Sequence, residues 1–141
     1  MRTRDGSTLI EQVILLAVFA VIAATAFAGG ARLLDAATVH GASQEVAELF
    51  SLARDRAMAT STRTAVRLDV ARARIVVHAG NDTLARLDLA SSRGVRLAAT
   101  RDSMAYLASG LGFGAANQRV IVSRGASRDT LTVSRLGRVR R

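Results

Sequence analysis

Between Glu11 and Arg32 the chain carries no ionisable side chain over 20 residues, Gln12 to Ala31. As an α-helix rising ~1.5 Å per residue, that stretch is about 30 Å long, the thickness of a bilayer's hydrocarbon core. Its centre, VILLAVFAVIAATAFA from Val13 to Ala28, is apolar on every face, and only Thr25 interrupts it. A Thr hydroxyl can bond back to its own helix, so it is no obstacle. An amphipathic helix of a soluble domain would show a polar stripe instead. The pattern predicts a transmembrane helix over residues 7–31. Arg2 and Arg4 precede it, and the positive-inside tendency then keeps the N-terminus cytoplasmic and sends the rest across the membrane once.

Three readings of this segment compete. A secretory signal peptide would have a basic start, an apolar stretch and Ala26-Phe27-Ala28 as an A-x-A cleavage site. A plain signal anchor is the second. The third rests on Gly6-Ser7-Thr8-Leu9-Ile10-Glu11, directly before the apolar core. A charged residue near the centre of a span costs about 2.5–3.5 kcal/mol, less near an end, so Glu11 points to a partner or a function. Thr8-x-x-Glu11 also fits a capping box, in which the two side chains close the helix start on themselves.

The chain has 141 residues, room for one modest domain. Its 20 basic residues, all arginine, stand against 11 acids, a formal net charge of +9. Such a balance suits polyanionic partners, nucleic acid or an anionic membrane surface. Hydrophobic residues make up 50%, which excludes a wholly disordered chain. With no cysteine there is no disulfide framework, no Cys-ligated metal and no thiol nucleophile.

After Gly30 the sequence stays helix-compatible. Ala42, Val46, Leu49, Phe50, Ala53 and Ala57 fall on one face of a helix, with Glu45, Glu48, Asp55 and Arg56 off that stripe. An amphipathic continuation over 32–62 is expected, softened at Gly29-Gly30 and Gly41. Beyond Thr60 the period becomes two. Val66, Leu68 and Val70 alternate with Arg67 and Asp69; Arg74–His78 is a second run; Ala79–Asp82 is a turn before Leu84, Leu87 and Leu89. Val95 and Leu97 follow, then a Gly-rich stretch at 109–118. Val120–Val122 and Leu131–Val133 flank Gly125–Asp129 as a hairpin. About six short strands over 63–141 behind one long helix make an α+β fold, the helix packed on a small, mainly antiparallel sheet domain.

No constellation for catalysis is present. Gly110-x-Gly112-x-Gly114 has Ala115 where a dinucleotide fingerprint needs its third glycine, and a phosphate-binding P-loop needs a lysine. No G-x-S-x-G elbow occurs. His40 and His78 stand apart, without carboxylates at metal-ligand spacing. Neither enzymatic activity, cofactor nor metal is expected.

The start of the chain resembles the class III leader of type IV pilins and type II secretion pseudopilins: a basic leader, Gly6, then Ser-Thr-Leu-Ile-Glu and an apolar helix. The resemblance implies a leader of residues 1–6, cut by a prepilin peptidase between Gly6 and Ser7, and methylation of the new N-terminus. Glu11 becomes the fifth residue of the mature chain, where that family has its glutamate. A buried carboxylate needs a positive partner, and the free amine of a neighbouring subunit would supply one. Ser7 departs from the family's usual Phe or Met, and the proline that kinks many major pilins is missing.

The strand with Tyr106 and Leu107, the Gly-rich connection, the hairpin, Leu136-Gly-Arg-Val-Arg140 and Leu52-Ala-Arg54-x-x-Ala57 are similar to the GspH/FimT group of minor pseudopilins and minor pilins. This implies a structural subunit held in the bacterial inner membrane with its C-terminal domain periplasmic. Its partners would be other minor and major pseudopilins and secreted cargo.

Residues 119–141 carry seven arginines against Asp129 alone. Arg135, Arg138, Arg140 and Arg141 form a candidate phosphate-binding ridge, since arginine makes bidentate phosphate contacts. The alternative is a solvated edge strand protected from aggregation by charge. Gly137-Arg138-Val139-Arg140 matches the G-R-x-R motif with which some FimT-like proteins bind DNA. Tyr106 and Phe113 are the sole aromatics beyond the helix, so base stacking contributes little.

Overall fold

The computed structural model describes residues 8–113 and 117–141. A single helix, α1, runs from Leu9 to Thr60. The Thr8 carbonyl accepts its first bonds, from the N–H groups of Glu11 (2.9 Å) and Gln12 (3.3 Å). Thr25 Oγ1 bonds back to the carbonyls of Val21 (3.2 Å) and Ile22 (2.9 Å), which satisfies the one hydroxyl in the apolar run. The helix continues through Gly29-Gly30 and Gly41 without a break. Each glycine costs a helix only about 1 kcal/mol, and an alanine follows both sites, Ala31 and Ala42.

The chain divides into two compact units after Leu34. In the first, the large apolar side chains from Leu9 to Leu34 are exposed, Leu9 at 80% and Phe27 at 82%. An 18-residue window there has a mean hydropathy of 2.5 and no buried share, so by length and composition the helix can cross a membrane.

The second unit, from Asp35 onward, is built on the other half of α1. Val39, Ala42, Val46, Phe50, Ala53 and Ala57 are buried. Their three- and four-residue spacing is the helical stripe expected from the sequence, with Leu49 half-buried at its flank. Alanine at 42, 53 and 57 lets strands come close, while Val46 and Phe50 fill the space between.

Among the described residues nine strands form two antiparallel sheets, whose inward side chains share a core with that stripe. One has five strands in the order β3-β2-β1-β5-β6, made of β1 (Thr64–Asp69), β2 (Arg74–Ala79), β3 (Asp82–Asp88), β5 (Ser103–Tyr106) and β6 (Gly112–Phe113). The other has the order β4-β7-β8-β9, from β4 (Arg96–Ala99), β7 (Gln118–Arg124), β8 (Ser127–Val133) and β9 (Val139–Arg140). Val66, Leu68, Ile75, Val77, Met104 and Tyr106 of the first sheet join Leu97, Val120, Val122, Leu131 and Val133 of the second in one core with the helix. The three-residue connection after β4 ties the sheets together. Leu68 N–H donates to the Asp102 carbonyl (2.6 Å), and the buried Gln118 side chain donates to the Arg101 carbonyl (2.8 Å).

The α+β class, the long helix and the antiparallel pairing agree with expectation. Two details differ. Val70 does not extend the β1 alternation: Asp69 Oδ1 accepts the Arg72 N–H (3.1 Å), which turns the chain and leaves Val70 exposed. Leu89 does not end a strand but opens a short helix, α2 (Leu89–Arg93), as a core residue. Asp88 caps that helix, accepting from Ser91 N–H (3.2 Å), and also takes Arg74 Nη2 (2.8 Å). The Arg74 hydrogen bond, with help from Ser91, holds the Asp88 carboxyl below its ordinary 3.8. The strand count among the described residues is nine, not about six: β5 is four residues long and β6 and β9 two each, too short for a readable alternation.

Candidate functional site

The expected processing residues, Gly6 and Ser7, lie outside the described residues. Glu11 sits in the first turn of α1, exposed, with Leu9, Ile10 and Val13 exposed beside it. It makes no ion pair among the described residues.

The C-terminal arginines separate into two groups. Arg124 is structural: its Nε bonds Asp35 (2.9 Å) and its Nη1 donates to the Arg93 carbonyl (2.9 Å). Arg93 in turn pairs with Glu45. These contacts link α1, α2 and β7 with partly exposed charges, each pair contributing roughly 0.2–1 kcal/mol.

Arg135, Arg138, Arg140 and Arg141 are all exposed and make no ion pair among the described residues. β9 is the edge strand of its sheet, paired through Val133↔Val139 and Thr132↔Arg140. Val139 packs on the core, so Arg138 and Arg140 on either side of it project outward. The R-x-R spacing is therefore a strand alternation at a sheet edge. The geometry fits both a charged edge that resists further strand pairing and an arginine ridge open to phosphate.

The glycine of that motif has a separate, structural cause. Gly137 is buried at φ +76, where a Cβ would stand 2.6 Å from Arg54 Cδ and 2.9 Å from the Gly110 carbonyl oxygen. Arg54 Nε donates to that same carbonyl (3.2 Å). The helix arginine of Leu52-Ala-Arg54 thus lies beneath the glycines of the Gly-rich connection and of the C-terminal turn. Nothing in the linear sequence links these positions.

Beneath the same region Tyr106 is fully buried, and burial pushes its hydroxyl up to about 12, against the opposing positive charge of Arg54. No cluster of three or more metal-ligating side chains occurs among the described residues. His40 is exposed on α1 beside Gln44 (3.4 Å), and His78 meets the Thr83 hydroxyl (3.3 Å). Neither ring is in an ion pair with a carboxylate among the described residues. Sequence reasoning also passed over a second basic surface, formed by Arg63, Arg67 and Arg101 on the outer face of the five-stranded sheet. The signal was present in the alternation: with Val66 and Leu68 turned inward, Arg67 must point out.

The chain matches no protein-family model, and no curated protein matches it by sequence. Solved structures match it in shape. The type IV minor pilin FimU of Pseudomonas aeruginosa superposes with a TM-score of 0.63 at 13% identity, over 72% of this chain and 86% of that one. A second crystal form of FimU gives 0.60 at 12% identity, over 72% and 90%. The minor pseudopilin EpsH of the Vibrio cholerae Type 2 Secretion System gives 0.57 at 15%, over 72% and 94%. The long helix on antiparallel sheets is thus the fold of minor pilins and minor pseudopilins, in agreement with the GspH/FimT-like resemblance of the sequence.

Proposed function

We propose that this chain is a structural, non-enzymatic subunit of a type IV pilus or type II secretion machine, anchored in a membrane by the first half of α1. The observation that carries this reading is the division of labour along one helix. From Leu9 to Leu34 its large apolar side chains have no cover, and from Val39 to Ala57 it is the spine of a folded core. Bare apolar surface of that extent needs lipid or other apolar helices around it. A subunit that waits in a bilayer and then packs into a fibre has both in turn.

On this reading a prepilin peptidase removes residues 1–6 after Gly6, and Ser7 becomes the methylated N-terminus. The chain crosses the inner membrane once, N-terminus cytoplasmic, with the sheet domain periplasmic. Glu11 sets register by pairing with the terminal amine of an adjacent minor or major subunit. Glu11→Ala is expected to leave synthesis and insertion unchanged while the protein is lost from sheared fibres. Incorporation equal to wild type would remove Glu11 from that role.

The open arginines at the β9 edge favour a second reading, a DNA-binding minor pilin. It predicts salt-dependent binding of duplex DNA by the full chain in non-ionic detergent. Replacing Arg138 and Arg140 with Gln should reduce the slope of log affinity against log salt by about 2, one phosphate contact each. An unchanged slope would count against it.

A further inference from the structure

The outer face of the five-stranded sheet is organised in rows by its register. Asp69, Arg74 and Asp88 lie side by side across β1, β2 and β3. This row neutralises itself, through Arg74 to Asp88 (2.8 Å) and Arg72 to Asp69 (3.0 Å). The next row reads Ser103, Arg67, Val76, Arg86 across β5, β1, β2 and β3. It holds two exposed arginines, neither in an ion pair among the described residues. In the row beyond, Ala105 and Ala65 are flanked by Phe113 and His78. The Arg63 guanidinium lies 4.5 Å over the Phe113 ring.

Two adjoining grooves follow from these rows. One, of about 660 Å³, is lined by Arg63, Arg67 and Arg101 over the small side chains Ala65, Ser103 and Ala105. The other, of about 390 Å³, is lined by Arg67, Arg86 and His78 with Arg74 and Asp69, both already in ion pairs. Arg67 and Asp102 belong to both. The volumes lie in the range of binding clefts, and the alanine and serine floor lets a chain approach the sheet closely.

We propose that this double groove is a docking site for an acidic, extended peptide segment of a partner protein. Guanidinium forks match carboxylates two bonds at a time, and Arg67 and Arg86 stand two strands apart, roughly 10 Å. Carboxylates three residues apart on a peptide in the extended polyproline II conformation, with three residues per turn, share one face and span about that distance. Asp102, at the junction of the grooves, suits a peptide N–H between two acids and repels a continuous phosphate chain. The lining offers bases two rings, Phe113, with the Arg63 guanidinium over one face, and His78; Ala105 and Ala65 stand between them in the row, so no continuous stacking platform runs along the grooves. Charge complementarity thus selects spaced carboxylates over nucleic acid.

The test uses the full chain in non-ionic detergent and fluorescein-labelled peptides with Asp at every third position and Gly between, with the matching Asn–Gly peptide as one control and, on the Arg138→Gln, Arg140→Gln variant that removes the β9 edge as a nucleic-acid site, a single-stranded oligonucleotide of equal charge as the other. The expected result is binding of the Asp peptide alone at low salt. Arg67→Gln with Arg86→Gln should weaken it about tenfold or more, and Arg138→Gln with Arg140→Gln should leave it unchanged. Arg67→Glu with Arg86→Glu, checked for fold by circular dichroism, should exchange the preference for a Lys–Gly peptide. Equal binding of the Asp and Asn peptides, an equal loss in the Arg138/Arg140 variant, tighter binding of the oligonucleotide, or no exchange of preference in the folded Glu variant would each overturn the proposal.

Discussion

Tyr106 is the chain's single tyrosine, so its ionisation can be followed without overlap from another. Burial raises its folded-state value to about 12, from 10.0. Deprotonation is therefore easier in the unfolded chain. The stability this group contributes is intact below pH 10 and is lost as pH rises through about 12. The near-ultraviolet tyrosinate band should appear with a midpoint near 12 in the folded protein, and near 10 in denaturant. A folded-state midpoint near 10 would mean that the ring is not enclosed. The sequence shows Tyr106 in a short apolar run but not its burial, because it pairs with Thr64 of β1, far back along the chain, and packs on the helix core. Exposure of Arg138 and Arg140, by contrast, was legible, since arginines without acids near them in the sequence stay in water whichever element carries them.

At the scale of elements, the helix stripe was the most readable feature. Ala42, Val46, Phe50, Ala53 and Ala57 repeat with a local period, and the core follows that period. The terminal strand was less readable because two residues of β9 carry no pattern of their own. It is held by the turn at Gly137, whose N–H bonds the Ser134 carbonyl (2.9 Å) while Ser134 N–H takes the Arg138 carbonyl (2.9 Å). A methyl group at 137 meets both a left-handed backbone and the Gly110 carbonyl. At Gly80, φ +61, it meets the backbone cost alone, with nothing within 4 Å. Gly80→Ala should cost roughly 1–2 kcal/mol. Gly137→Ala should cost about 1–3 kcal/mol more, read by denaturant unfolding of the two variants in parallel. Equal costs would mean that the turn has room, and that the glycine of the G-R-x-R motif is not held there by packing against Arg54 and Gly110.

For the whole molecule, the switch from period 3.6 to period 2 beyond Thr60 is enough to announce a helix followed by strands. It does not say that those strands divide into two sheets, because the division depends on which edges meet across the 100–102 connection. The net charge of +9 also changes meaning once folded. Some arginines are bound within the fold, as Arg74, Arg93 and Arg124 are. Others gather on two surfaces, the β9 edge and the outer face of the first sheet. A basic composition alone cannot distinguish these uses, since pairing across strands decides them.

The proposed membrane anchoring and fibre assembly rest on how the apolar half of α1 is handled by the cell, and the mass of the mature chain reports that directly. Co-produced with a prepilin peptidase and extracted from membranes, the protein should begin at Ser7, carry one methyl group on its N-terminus and keep the whole apolar helix. Gly6→Ala should retain residues 1–6. A chain that begins at Gly29, cut after Ala26-Phe27-Ala28 and recovered in soluble form, would contradict anchoring and assembly together.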